Sequence, residues 1–291
     1  MATTAGEALL SYLGEQLAEL RRHAPGVREN QAESIHEMRV AARRLRSLLA
    51  TTRKLFAAGA AEDIRSELRW LSGALGAARD PGVVQARLRE LLASEPEELT
   101  SGQAAQRIDE ELDAAAAAGH QGVIEALGSE RYDRLLLSLG TLLAADRLSQ
   151  KASRPPRRTL RKFVAGETAR LARAVADLSP PSHARARDAE LHEVRKAAKR
   201  LRYCAELAVA VGGRRAGKRI RKTAKAARRI QTTLGLHHDS VVARTLLAEL
   251  GLRSVPSGES GFCYGRLHAR EESLAASSET EFLKIWKDFR G

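Results

Sequence analysis

Apolar positions recur at three- and four-residue spacing along nearly the whole chain. From residue 4 to His23 the run Leu9, Leu13, Leu17 and Leu20 falls on one helical face. Pro25 and Gly26 predict a break after it. Ser34 with Glu37 three residues on is a capping-box pattern, opening a helix to about Phe56. Helices are then expected at 61–76, after Asp80-Pro81 with Asp at the N-cap and Pro at the first helical position, at 102–118 and at 130–146. Gly119 and Gly128 read as breaks. Ser149 to Pro156 reads as a linker, dividing the chain into halves 1–150 and 151–291. The second half predicts helices at 157–178, 186–211, 214–235, 239–250, 261–275 and 279–289. Its breaks are Ser179-Pro180-Pro181, Gly212-Gly213 and a loop from Ser254 to Ser260. No run of Val, Ile and Thr looks like a strand, so the class is all-α. Each half holds about four main helices, enough for a bundle with short antiparallel connections.

The pattern repeats itself. His36-Glu37-Met38-Arg39-Val40-Ala41-Ala42-Arg43-Arg44-Leu45-Arg46 recurs 156 positions later as His192-Glu193-Val194-Arg195-Lys196-Ala197-Ala198-Lys199-Arg200-Leu201-Arg202, with eight of eleven positions identical. Leu75-Gly76-Ala77-Ala78-Arg79-Asp80 aligns with Leu234-Gly235-Leu236-His237-His238-Asp239 at an offset of 159. Two matches in the same order at nearly equal offsets point to an internal duplication.

Composition sharpens this picture. The 291 residues carry a formal charge of +13, unevenly spread: 18 Lys/Arg against 22 Asp/Glu in residues 1–150, and 31 against 14 in residues 151–291. Such asymmetry suggests an anionic partner. Two cysteines, Cys204 and Cys263, make no disulfide framework and fit a reducing cytosol. The N-terminal segment reads as an amphipathic helix rather than a signal peptide, and no stretch of ~18 apolar residues suggests a membrane span.

The repeated segment is itself a row of cations. At about 100° per residue, with His36 at zero, Arg39, Arg43 and Arg46 fall within about −20° to −80°, opposite Met38, Ala41, Ala42, Leu45, Leu48 and Leu49. His192, Arg195, Lys199 and Arg202 repeat the stripe, and Arg44, Lys196 and Arg200 edge it. A solvated face usually mixes signs, yet residues 38–56 hold six cations and no acid, and residues 194–205 five and none. Residues 214–229 hold nine cations in sixteen positions without an acid. Among them Lys218, Arg221, Lys222, Lys225, Arg228 and Arg229 share roughly one third of the circumference. Like charges at helical spacing repel, so a groove for a polyanion is expected. The matching stretch Glu62–Trp70 is mixed in sign, so the first half is expected to contribute less.

His36 and His192 are placed in the first turns of their helices, where backbone N–H groups favour an anion. His237-His238-Asp239 invites a metal reading, but Arg79 stands where His238 does, and an arginine cannot ligate. Anion contact by His238 and Arg79 is the simpler expectation, with Asp80 and Asp239 as helix N-caps. No Gly-rich phosphate loop and no clear carboxylate pair for Mg²⁺ occur.

These motifs resemble the CHAD domain, the conserved histidine α-helical domain, over about residues 5–289. The resemblance implies two pseudo-twofold-related four-helix bundles around a basic cavity that binds inorganic polyphosphate. It implies His36, Arg39, Arg43, Arg46, His192, Arg195, Lys199 and Arg202 as ligand-facing residues. The helical-wheel argument adds Lys218, Arg221, Lys222, Lys225 and Arg228. No Glu-x-Glu-x-Lys strand suggests an attached CYTH domain.

The expected function is therefore non-catalytic binding of inorganic polyphosphate, with no cofactor and no catalytic or metal-binding residue. The expected setting is the cytoplasm, diffuse or on polyphosphate granules. A nucleic-acid-binding protein is the alternative, though only Tyr203 and Trp70 lie near the basic helices as stacking platforms. A metal-dependent phosphohydrolase comes third. A membrane-surface role is least favoured, because Ala rather than Trp or Phe lies opposite the cations.

Overall fold

A computed structural model describes residues 4–100, 102–179, 184–254 and 261–290, and nine α-helices hold most of them. In the first half these are α1 (Ala5–Arg28), α2 (Ala32–Thr52), α3 (Glu62–Ala93), α4 (Gly102–Leu127) and α5 (Glu130–Leu142). The second half supplies α6 (Pro156–Ala176), α7 (Ala184–Gly212), α8 (Lys218–Ser254) and α9 (Phe262–Arg290). The class is all-α, as the periodicity predicts. The expected stop at Pro180-Pro181 and the loop at 255–260 lie outside the described residues.

Several expected breaks do not occur. Pro25 lies inside α1 and Gly119 inside α4. The pairs 61–76 with the post-Pro81 helix, 214–235 with 239–250, and 261–275 with 279–289 are each one helix. Asp80 and Asp239 therefore lie in helix interiors and cap nothing. Ser34 is likewise not the N-cap of α2: Gln31 is, and the buried Ser34 hydroxyl donates to its Oε1 at 3.2 Å.

Pro81 shows why a long apolar stripe can override a breaker. Proline has no N–H, so the carbonyl of Ala77, four residues earlier, loses its intrahelical donor. The backbone of Gly119 on α4 closes over that carbonyl, so tightly that a Cβ at 119 would sit 2.2 Å from the oxygen. The apolar face of α3 continues across the proline through Leu71, Leu75, Val84 and Leu88, all buried. Each such side chain contributes about 1.5–3 kcal/mol, which can offset the ~3 kcal/mol that an interior proline costs.

Consecutive helices pack on one another in both halves, and α2 meets α7 across them. One hydrophobic cluster runs through both halves, from Ala5 and Leu9 to Phe282 and Trp286. A second joins the far ends of α3, α4, α8 and α9 around Leu88, Ile108, Leu247 and Tyr264. There Arg87 crosses between the halves, donating to Glu271 at 2.7 Å and to Ser240 at 2.6 Å. The linker is pinned as well: Ala57 N–H donates to Arg147 O and Ser149 N–H to Leu55 O, both at 2.9 Å. Both cysteines are buried and free. No helix among the described residues is long and apolar enough to cross a membrane.

Candidate functional site: a basic trough between α2 and α7

Helix α2 buries Met38, Ala41, Ala42, Leu45, Leu48 and Leu49, and α7 buries Val194, Ala197, Ala198, Leu201, Cys204 and Ala205. The cationic stripes are thereby left on the faces opposite the core. Because α2 and α7 meet, the two stripes come together. Lys199 is held among Arg195, Arg43, Arg39 and Arg46, and burial with their like charge pulls its pKa from 10.5 to about 7. Burial also lowers Arg43, Arg46 and Arg195, with neighbouring arginines adding to it. The buried Nε atoms of Arg39, Arg43 and Arg195 find no acceptor among the described residues.

The second repeated motif builds the walls. Arg39 lies over Gly76, where its guanidinium would be 3.5 Å from an added Cβ, and it donates through both terminal nitrogens to Asp80. Arg195 lies against Gly235 at the corresponding place, with Asp239 the nearest opposite charge. In both copies the glycine of the Leu-Gly…Asp element leaves room for an arginine; in the first the aspartate also holds it by two hydrogen bonds. Burial raises the Asp239 pKa, against the pull of Arg195 and Arg87.

The histidines occupy matching positions, but not the expected first turns: His36 is the fifth residue of α2 and His192 the ninth of α7, beyond the free N–H groups of the helix start. His36 lies near Arg79, whose charge with burial lowers its pKa. His192 packs its ring 4.8 Å from that of His238. Burial, then Arg195, brings His238 down to about 4. His237, one residue away, turns instead to the core, where it lies 3.3 Å from Asp188. His237 and Asp239 therefore do not converge with His238, and no group of three metal-ligating residues is found among the described residues.

Not every expected contact residue faces this trough. Arg44 and Arg200 turn to the first helix of each half: Arg44 to the buried Gln16 at 3.4 Å, Arg200 to the buried Glu167 through two bonds of 2.7 and 2.9 Å. Both are thereby committed to interhelical polar contacts. Arg202 is neutralised by Glu206 at 2.7 Å and also reaches Gln231. Its counterpart Arg46 has Ala50 where Glu206 stands, so the weaker-charged half supplies the freer cation. Lys196 pairs with Glu193 on the exposed rim. Arg221 bends back to the carbonyls of Gly213 and Ala216, closing the turn before α8. Lys218, Lys222, Lys225 and Arg228 are exposed. Relative to Gly235, Arg228 lies about 20° round the helix, whereas Lys225, Lys218 and Lys222 lie about 80–140° away. Of these four, Arg228 alone continues the trough face.

Two contributors are missed by the sequence pattern. Arg69 on α3 adds its charge beside Arg46, and Arg65 does so more weakly. The 159-residue offset that aligns Arg79 with His238 also aligns Arg69 with Arg228, and would have found it. Tyr203, one of two aromatics near the basic helices, is buried, under Arg202 at 5.5 Å and Arg44 at 6.0 Å.

The fold matches known proteins. PptA from Streptomyces chartreusis superposes with a TM-score of 0.79 at 26% identity, covering 98% of this chain and 99% of that one. The CHAD domain from the plant Ricinus communis gives 0.74 at 26% identity, covering 98% and 93%. Among curated proteins, "Uncharacterized protein Rv2226" of Mycobacterium tuberculosis H37Rv is 33% identical over 265 residues, 90% of this chain and 49% of that protein. A counterpart in strain CDC 1551 gives the same figures. The chain spans about half the length of these curated relatives. The CHAD domain family model matches residues 11–248, and the chain belongs to that family.

Proposed function

We propose that the trough binds inorganic polyphosphate without transforming it. The observation that carries this reading is the group formed by Arg39, Arg43, Arg46, Arg195 and Lys199. Their positive charges are buried against one another, and three of the arginine Nε atoms lack an acceptor among the described residues. Burying like charges together is costly, a compensating anion relieves that cost, and Arg matches the oxygens of a phosphate in two-point fashion. Membership in a family whose members bind polyphosphate supports the same ligand. A linear phosphate chain offers repeated anionic groups to many cations at once and needs no base recognition.

Two features argue against the other readings. Tyr203 is buried and Trp70 lies beneath the guanidinium of Arg131 at 4.3 Å, so neither offers a free face to a nucleobase. Asp80 is engaged by Arg39, and the cations around Asp80 and Asp239 oppose a metal ion there.

Calorimetry with phosphate chains of defined length tests the proposal, on the wild type and on an Arg195→Glu, Lys199→Glu pair. The wild type should bind with an affinity that falls steeply with salt, through counterion release. The pair should lose binding and keep its helicity. A flat salt response, or equal displacement by DNA, would overturn the reading.

A further inference from the structure

A second basic concavity lies beyond the trough. It is a cleft of about 890 Å³ where the end of α2, the linker and the start of α6 meet. Arg53, Lys54, Lys151, Arg154, Arg158 and Lys162 line it, all exposed. Its lining holds one carboxylate, Glu167, which is buried and already bonded by Arg200 and by the Thr51 hydroxyl at 3.2 Å. The acid at the floor thus fixes Arg200 and leaves the rim cations uncompensated. None of the six forms an ion pair among the described residues. Such a concentration of one sign in a concave wall focuses the field on an incoming anion.

The cleft is also continuous with the trough. The α2 stripe that holds Arg39, Arg43 and Arg46 is followed, in the short 3-10 turn just past the end of α2, by Arg53 and Lys54, about 21 Å from Arg39 to Arg53 at helical rise. Arg65 lines the cleft and lies near enough to Arg46 for the two charges to oppose one another. Cations therefore follow one another from the trough floor to the cleft mouth.

We propose that this cleft is a second phosphate-chain site, which takes the part of a polyphosphate that overhangs the trough. The proposal rests on the trough being a polyphosphate site. It adds that long chains are held at two places, so that the second contact forms at high effective concentration.

The test compares short and long monodisperse polyphosphates on the full chain by calorimetry, across a salt series. The cleft variant is Arg158→Glu with Lys162→Glu; a milder Arg53→Gln, Lys54→Gln pair guards against an effect on folding. Short chains should bind the cleft variants as they bind the wild type. Long chains should bind the Glu pair at least about tenfold more weakly than the wild type, with a salt slope lower by about one for each phosphate-binding cation removed. Unchanged long-chain affinity and slope in both cleft variants would overturn the proposal. Retained short-chain affinity in the Arg195→Glu, Lys199→Glu pair would instead overturn the trough reading beneath it.

Discussion

Arg39 donates both of its terminal nitrogens to the carboxylate of Asp80, one of them at 2.9 Å, on the edge of a trough otherwise dominated by cations. The aspartate occupies the place a phosphate would take on that guanidinium. Asp80→Asn keeps the shape and removes the competing charge. Affinity for polyphosphate should rise several-fold and its salt dependence should steepen, while the ligand-free protein loses about 1 kcal/mol from the unpaired arginine. Calorimetry and thermal denaturation read the two effects separately; weaker binding would show that Asp80 orients Arg39 more than it competes.

Lys199 makes the site sensitive to pH. Its folded-state pKa is about 7 against an ordinary 10.5, so between these values the unfolded chain holds a proton that the folded chain has released. Stability of the ligand-free protein therefore receives a rising contribution from Lys199 as pH goes from about 7 towards 10.5, and none of that relief below 7. A bound anion favours the charged lysine and reverses the shift. Binding at pH 8 should take up close to one proton, visible as a buffer-dependent enthalpy, and affinity should fall as pH rises above 7. Lys199→Arg should remove this alkaline limb and leave the acid side, where His36, His192 and His238 charge.

The Arg200–Glu167 pair is expected to serve the fold more than the trough. Arg200→Met leaves a buried carboxylate without its bidentate partner and should destabilise the protein by about 3–5 kcal/mol in denaturant titration. Adding Glu167→Gln should restore much of that loss. Short-chain polyphosphate binding should stay within a few-fold of the wild type in the double variant.

Gly119 marks the closest approach of α3 and α4. A methyl group there would meet the Ala77 carbonyl at 2.2 Å, and the contact is backbone, so nothing small can yield. Gly119→Ala should lower the melting temperature by well over the ~4 °C that 1 kcal/mol can bring in a domain of moderate size. Gly122→Ala, one turn on with open space around it, is the control and should be neutral or stabilising.

The helices were legible because an apolar stripe is what a helix needs in order to be buried. Their ends were less so. Pro25, Pro81, Gly119 and Gly235 carry weak local signals to stop, and each is outweighed by contacts that depend on distant residues. The trough was half legible. Periodicity placed Arg39, Arg43, Arg46, Arg195 and Lys199 on stripes opposite the core, but it could not show that α2 and α7 turn those stripes towards each other. Nor could it show that Arg44 and Arg200, only about 100° further round, point to a different helix. Asp80 and Asp239 looked like caps because Asp-Pro and Gly-x-x-x-Asp are common at helix starts. Their role emerges only when the arginine from another helix is brought alongside.

Helices α3 and α8 run for 32 and 37 residues, α3 continuing across Pro81, and each carries an arginine seat near its middle. Gly76 with Asp80 and Gly235 with Asp239 are therefore carried on two different long helices, and the packing of those helices sets how far apart they stand. A ligand that reaches both seats must fit the spacing that this packing sets. A limp single-stranded polymer can bend until its charges meet both seats, whereas a stiff duplex would have to be deformed.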